Sequence, residues 1–358
     1  MLELPQNTMK HIAADILRII DANLNRTGEG LRVLEEFARL SLNDEFISQK
    51  LKNLRHKVLQ TGLEQQKILL NARDAAGDVG SVMDVPGESK TKSGAPEIII
   101  ANARRVQESL RVLEELAKTP DSGLDSEAFR QGRFELYSIE KELLGRISRQ
   151  DSVKKIAGLY VVIDTEWLKG RSPGDLTLRA IEGGAQVIQL RCKNGEAGNF
   201  LKIAMELKEV CASSSIPFII NDRLEVALAC KADGLHIGQE DLPAKEARKL
   251  IPIDMLLGVS VKTAAQAKAA TTDGADYLGV GAVFATATKD SIAIGLNGLK
   301  LVKEATALPL VAIGGINREN IQSIIKAGAV SAAVISAVLG ADDVEKAAAA
   351  LVKEIRKA

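Results

Sequence analysis

The chain has 358 residues, 46% of them hydrophobic, which exceeds the usual single-domain size and predicts two domains with cores of their own. Its 47 basic and 47 acidic residues cancel, which argues against a protein of nucleic acid or a membrane surface, since both demand a large one-signed face, and leaves small molecules as the expected ligands. Cys192, Cys211 and Cys230 show no CxxC spacing, and neither a basic leader nor a run of roughly 20 apolar residues occurs, so zinc, structural disulfides and a membrane span are not expected and a cytoplasmic protein is.

From residue 11 to about 149 the apolar residues recur at helical spacing, with EIII at 97–100 as the one strand candidate. This half contains an internal repeat. Laid on residues 100–119, residues 21–40 match at eleven of twenty positions, with Asn23, Arg26, Glu29, Arg32, Glu35 and Glu36 recurring 79 residues later. Leu31, Leu34 and Ala38, like Leu110, Leu113 and Ala117, fall on one helical face. A second amphipathic helix follows each copy, at about 44–70 and 125–148, so two hairpins related by a pseudo-two-fold should form a small bundle. The repeated polar residues read either as solvated faces with i to i+4 pairs or as a shared polar site. Residues 71–94, rich in Gly, Asp, Ser and Lys, read either as an anion and metal site built on Arg73, Asp74, Asp78 and Gly80 or as a connector.

The polar stretch SRQDSVKK (148–155) marks the expected boundary between a helical domain, 1–150, and a second domain, 151–358. Beyond it, strand candidates appear at 158–164, 185–191, 217–221, 234–238, 255–260, 276–284, 308–315 and 332–338, each followed by a helical pattern. Eight such units predict an α/β fold, a (βα)8 TIM barrel; a doubly wound sheet is the alternative, although no GxGxxG opens it.

Chemistry in such barrels sits at the C-terminal strand ends. There the sequence places Gln189, Arg191 and Lys193; Asn221 and Asp222; His236, Gln239 and Asp241; Ser260; and Thr286, Thr288 and Lys289. The hydroxyls, glycines and cation of GVGAVFATATKDS (279–291) suit a phosphate or pyrophosphate. Gly314-Gly315 and Ile335-Ser336 match the backbone phosphate cradle after strands seven and eight, while Arg191, Lys193 and Lys289 imply a second anion site. Asp222 and Asp241, on adjacent strand ends, suit Mg2+ shared with phosphate oxygens, although Asp222 also reads as a helix N-cap. His236, inside apolar GLHIG, reads as a packed, hydrogen-bonded histidine, and Cys192 as structural.

Seven motifs in order, QLRCK (189–193), IINDRLEVALA (219–229), DGLHIGQEDLP (233–243), GVSVKT (258–263), DYLGVGAVFATATKDS (276–291), VAIGGI (311–316) and AAVISAV (332–338), resemble thiamine phosphate synthases. The resemblance implies joining of hydroxymethylpyrimidine diphosphate to thiazole phosphate, through a pyrimidine-methylene cation, with release of pyrophosphate. It implies Gln189, Arg191, Lys193, Asn221, Ser260 and Lys289 around the pyrimidine diphosphate, with Arg191, Lys193, Ser260 and Lys289 as the catalytic group. Asp222 and Asp241 would hold Mg2+, and Thr286, Thr288, Gly315, Ile335 and Ser336 the thiazole phosphate. Cys192 and Ala282 depart from the family's usual residues between these positions.

In the first half, NLNRTGEGLRVLEEFARL (23–40), ARDAAGDVGS (72–81) and NARRVQESLRVLEEL (102–116) resemble a non-ribokinase type of hydroxymethylpyrimidine phosphate kinase. That resemblance implies ATP as a substrate, with Arg26, Arg32, Arg73, Asp74, Asp78, Arg105 and Arg111 as candidates, although no Walker motif is present. A noncatalytic dimerisation module in this half, or a ligand-binding regulator of the pathway, are the alternatives. A homo-oligomer is expected.

Overall fold

The computed structural model describes residues 9, 12–60, 63–74, 94–120, 122–193, 195–286 and 292–358. The chain divides into two compact units, Met1–Ser148 and Arg149–Ala358.

In the first unit α1 (Ala14–Glu36) runs into a π-helical turn, Phe37–Ser41, and is followed by α2 (Glu45–Val58), α3 (Leu63–Ala72) and α4 (Ala95–Leu116). The long helix α5 (Ser126–Lys154) begins in this unit. Leu17, Ile20, Leu24, Leu31 and Leu34 of α1 are buried at three- and four-residue spacing with Ile99, Ala103, Val106, Leu110 and Leu113 of α4, giving one core for both repeat copies. Gly30 permits the close approach of the two helices: a Cβ there would lie 2.5 Å from Val106 Cγ2 and 3.2 Å from the Asn102 carbonyl.

Two sequence expectations are corrected here, and a third is refined. EIII at 97–100 is helical, in the first turns of α4, which start at Ala95-Pro96; three consecutive isoleucines cannot by themselves distinguish a strand from a buried helix. The helix expected over 44–70 is two helices, α2 and α3, separated around Thr61-Gly62, a poor helical pair that lies outside the described residues. SRQDSVKK, the stretch expected at the domain boundary, is where the two units divide, between Ser148 and Arg149, and it is helical through Lys154, since nothing in its composition stops a helix.

The second unit is a closed barrel of eight described parallel strands, β1 (Gly158–Asp164), β2 (Val187–Arg191), β3 (Phe218–Asn221), β4 (Gly234–Ile237), β5 (Leu256–Val261), β6 (Tyr277–Gly281), β7 (Leu310–Ile313) and β8 (Ser331–Val334). Pairing follows sequence order and β8 returns to β1, which overturns the doubly wound alternative. Helices α6 (Pro173–Glu182), α7 (Ala197–Ser213), α8 (Leu224–Ala229), α9 (Ala244–Leu250), α10 (Ala264–Thr272), α11 (Gly295–Ala305), α12 (Ile321–Lys326), α13 (Ser336–Leu339) and α14 (Val344–Ile355) alternate with the strands and close the chain. The strand expected over 332–338 stops at Val334, and Ser336 already begins α13: one apolar run serves a strand and then a helix.

Alternation along the strands makes two cores. Leu159, Val161, Ile163, Ile188 and Leu190 pack outward against the helices. Tyr160, Val162, Val187, Ile219, Leu256, Tyr277 and Val311 fill the barrel interior. The inward phase of β1 and β2 continues to Asp164 and to Gln189 and Arg191 at their C-terminal ends, so the pleat that packs the core also aims polar side chains at the mouth.

Candidate active site

At the mouth, Asp164 ends β1 in register with Arg191 of β2. Asp164 is fully buried, its Oδ1 accepts from the Glu166 N–H at 3.0 Å, and its Oδ2 takes a short bond from Arg191 Nη1. A buried carboxylate thus aims and neutralises the guanidinium on which an anion would otherwise act alone. Lys193, two residues on, is exposed.

Asn221 ends β3 opposite His236 of β4. Asp222 follows with φ of 63°, a left-handed backbone that Asp tolerates better than most residues, and its N–H donates to the His236 carbonyl at 2.7 Å. It does not cap α8; Arg223 stands at that position without a side-chain cap bond, so the N-cap reading of Asp222 is corrected. Asp241 Oδ2 accepts from the Gly238 N–H at 2.7 Å, which fixes a tight turn in the loop after β4. Asp222 is open to solvent through the mouth, yet the surrounding protein, and then its hydrogen bond to Asp241 and that residue's charge, push its carboxyl up to about 6 against the pull of Arg191 and Asn221. Two facing carboxylates short of positive charge fit Mg2+, which takes one or two carboxylates and draws its remaining ligands from phosphate and water. Among the described residues no third His, Cys, Asp or Glu joins them.

Ser260, near the end of β5, accepts or donates at 2.9 Å with His236 Nε2, and Gln239 Nε2 donates to the Ser260 carbonyl at 2.7 Å. His236 is therefore the hydrogen-bonded core histidine its apolar setting predicts. Gly314 and Gly315, with φ of 99° and 64°, end β7; a Cβ on Gly315 would lie 2.4 Å from the Ala285 carbonyl, so only glycine lets the loop after β6 pass this close. Asn320 Nδ2 holds the Gly315 carbonyl at 2.9 Å. Ile335 and Ser336 form the turn from β8 into α13. Thr286 is partly buried on the loop after β6, and Thr288 and Lys289 lie outside the described residues.

The helical unit separates its candidates. Arg32 bonds Glu35 and Glu36 at 3.2 and 2.7 Å, and Arg111 bonds Glu114 and Glu115 at 3.0 and 2.7 Å. Arg55 of α2 and Arg133 of α5 complete the same arrangement, at 3.1 Å to Glu35 and 2.9 Å to Glu114. These repeated residues join each hairpin. Arg73 grips Asp21 with two bonds of 2.8 and 2.9 Å, Asp74 lies 3.8 Å from Arg18, and Asp78 is outside the described residues. Arg26 and Arg105 differ: with Asn23, Glu29, Glu108, Ser109 and Val112 they line a cleft of about 530 Å³ between α1 and α4. The cleft draws Arg26 and Glu29 from one repeat copy and their equivalents Arg105 and Glu108 from the other, and among the described residues neither arginine has an ion-pair partner.

The family model described as thiamine monophosphate synthase matches residues 159–338, and that of the ThiD2 family matches residues 18–142. The thiamine-phosphate synthase of Prochlorococcus marinus subsp. pastoris is 37% identical over 348 residues, covering 95% of each chain. That of a Nostoc species is 37% identical over 345 residues, with 94% of this chain and 93% of the relative covered. The chain belongs to the thiamine-phosphate synthase family. Both resemblances seen in the sequence are thereby borne out, and because the matches run across both units, these relatives share the fusion. A solved thiamine phosphate pyrophosphorylase from Pyrococcus furiosus, 39% identical with a TM-score of 0.54, covers 57% of this chain and 98% of its own.

Within this fold, sequence reasoning missed Asp164 and the tyrosines of the barrel interior. An acid closing the otherwise apolar GLYVVID was the available signal for Asp164. Tyr160 and Tyr277 offered none, because an aromatic residue inside a strand ordinarily reads as core.

Proposed function

We propose that the barrel joins hydroxymethylpyrimidine diphosphate to thiazole phosphate, giving thiamine monophosphate and pyrophosphate. The observation that carries the reading is the gathering of Gln189, Arg191, Asn221, Asp222, Asp241 and Ser260 at neighbouring strand ends of one mouth. In the reaction the bond between the pyrimidine methylene and the diphosphate oxygen breaks, the oxygen keeps the electron pair, and the thiazole nitrogen's lone pair closes on the resulting methylene cation. No side chain needs to act as a nucleophile or strong base. Arg191, oriented by Asp164, together with Lys193 and Lys289, stabilises the charge that grows on the leaving pyrophosphate. Asp222 and Asp241 would hold Mg2+, which supplies further neutralisation of the phosphate oxygens. Gln189, Asn221 and Ser260 orient the pyrimidine, while Thr286, Thr288, Gly315, Ile335 and Ser336 hold the thiazole phosphate, fixing the two reacting atoms in line.

The helical unit, in this reading, phosphorylates hydroxymethylpyrimidine phosphate with ATP in the cleft between α1 and α4. Two arginines without ion-pair partners among the described residues, in a cleft of small-molecule size, suit two anionic substrates better than a dimerisation face does. For the barrel, the test is turnover of the full chain on the two phosphorylated substrates: Asp222→Ala should weaken the dependence on Mg2+, and an unchanged metal requirement would remove Asp222 from the site.

A further inference from the structure

Running through the barrel interior from the mouth, five side chains on five strands are linked by four hydrogen bonds into one continuous chain. Gln189 Nε2 donates to Tyr160 Oη at 2.8 Å, Tyr160 Oη lies 3.2 Å from Tyr277 Oη, Tyr277 Oη lies 3.1 Å from His236 Nδ1, and His236 Nε2 lies 2.9 Å from Ser260 Oγ. The four residues from Gln189 to His236 are all buried. The strands make room for them: a Cβ on Gly258 would fall 2.2 Å from the Tyr277 ring and 2.4 Å from His236 Nδ1, and one on Gly279 would fall 2.7 Å from His236 Cε1. Both ends of the chain are residues assigned above to the pyrimidine substrate; the middle residues have no such role.

Each phenol carries one proton and each neutral imidazole one N–H, so the direction of the whole chain follows from one end. Burial raises both phenols well above their ordinary range, so each keeps its proton at neutral pH. Tyr160 accepts from Gln189 and therefore spends its own proton on Tyr277. Tyr277 then donates to His236 Nδ1, which leaves the proton of the imidazole on Nε2, donating to Ser260 Oγ. The Ser260 hydroxyl hydrogen is thus released for a substrate lone pair. At the opposite end, Gln189 has committed an N–H, and its Oε1 is the acceptor outside the chain.

We propose that Tyr160, Tyr277 and His236 are positioning residues that fix Gln189 as an acceptor and Ser260 as a donor, and thereby select a heteroaromatic substrate that offers an exocyclic N–H and a lone pair. The proposal rests on the reading of Gln189 and Ser260 as pyrimidine contacts. An analogue with the exocyclic amine replaced by a carbonyl presents no N–H at that position and meets the unpaired acceptor, the situation that gives buried polar sites their strongest discrimination.

The unaltered full chain tests the polarity directly. With 15N-histidine labelling, and the His236 signal identified by its loss in His236→Gln, long-range 15N–1H spectra should show the neutral Nε2–H tautomer; the Nδ1–H tautomer overturns the proposal. Kinetics test the consequence. Tyr277→Phe and Tyr160→Phe should each raise KM for the pyrimidine diphosphate about 5–10-fold, the loss of one ordered hydrogen bond, with KM for thiazole phosphate unchanged. Preference for the amino over the carbonyl pyrimidine should fall by a similar factor. If Gln189→Ala and Ser260→Ala raise that KM while neither tyrosine variant alters KM or preference, the chain has no such role and the pyrimidine site stands. If Gln189→Ala and Ser260→Ala leave it unchanged, the underlying site assignment fails as well.

Discussion

The barrel mouth and the helical repeat both present recurring polar residues, but place gives them meaning in different ways. In the barrel, position at a strand's C-terminal end already predicts convergence, and Arg191, Asn221, Asp222, Asp241 and Ser260 do gather. In the helical unit, repetition alone marks constraint without saying of what kind. Arg32 and Arg111 are repeated because they pair with buried Glu35 and Glu114; Arg26 and Arg105 are repeated at the rim of a cleft. A duplicated polar residue can therefore record either assembly or chemistry, and only its helical phase separates the two.

The most disruptive change should be Arg191→Ala. It removes a cation from the mouth and leaves buried Asp164 without its partner, so the rate of thiamine monophosphate formation should fall about 10²–10³-fold, measured against circular dichroism to show an intact barrel. The comparison within the repeat gives a sharper contrast. Arg26→Ala with Arg105→Ala should reduce ADP formation about 10²-fold at an unchanged melting temperature. Arg32→Ala with Arg111→Ala should do the reverse, lowering the melting temperature slightly and leaving turnover intact. Equal effects of the two pairs on activity would erase the distinction.

Glu114→Gln should destabilise the helical unit by about 2–3 kcal/mol in denaturant titrations, because it leaves Arg133 partly buried without its charge partner. Burial pushes the Glu114 carboxyl up, but Arg133, Arg111 and Lys118 outweigh it and hold it below its ordinary range. Its contribution is therefore complete above the ordinary carboxylate pKa and is lost as pH falls through the lower, folded-state value. Asp222 has the opposite sign: its raised pKa of about 6 makes its contribution to stability complete below the ordinary value and lost as pH rises through 6. Mg2+ must displace that proton, so its affinity should rise about 10-fold from pH 5 to pH 7, and Asp222→Asn should flatten the profile measured by calorimetry. The smallest effect, about 1 kcal/mol, is expected for Asp44→Ala, which removes the bond from the Ile47 N–H at the start of α2.

Much of the barrel is legible in the sequence because strand and helix periods alternate there at regular intervals, and a closed parallel sheet leaves little freedom in where strand ends point. The strand limits are less so: 332–338 is uniformly apolar, and nothing in it signals the turn at Ile335 where β8 gives way to α13. The hydrogen-bonded chain through Tyr160 and Tyr277 is hidden for another reason. It depends on the register that sets His236 beside Gly258 and Gly258 beside Tyr277, a property of pairing between strands rather than of any one segment. In the helical unit, the repeat is visible at once, but the partners Arg55 and Arg133 that explain half of it lie outside the repeated twenty residues.

The central claim, that one chain makes the pyrimidine diphosphate in its helical unit and consumes it in its barrel, is tested by supplying the full chain with hydroxymethylpyrimidine phosphate, ATP, thiazole phosphate and Mg2+. ADP, pyrophosphate and thiamine monophosphate should form in equal amounts, with pyrimidine diphosphate accumulating instead when Lys289→Ala blocks the barrel. Product formed from supplied diphosphate, but none from monophosphate and ATP, would contradict it.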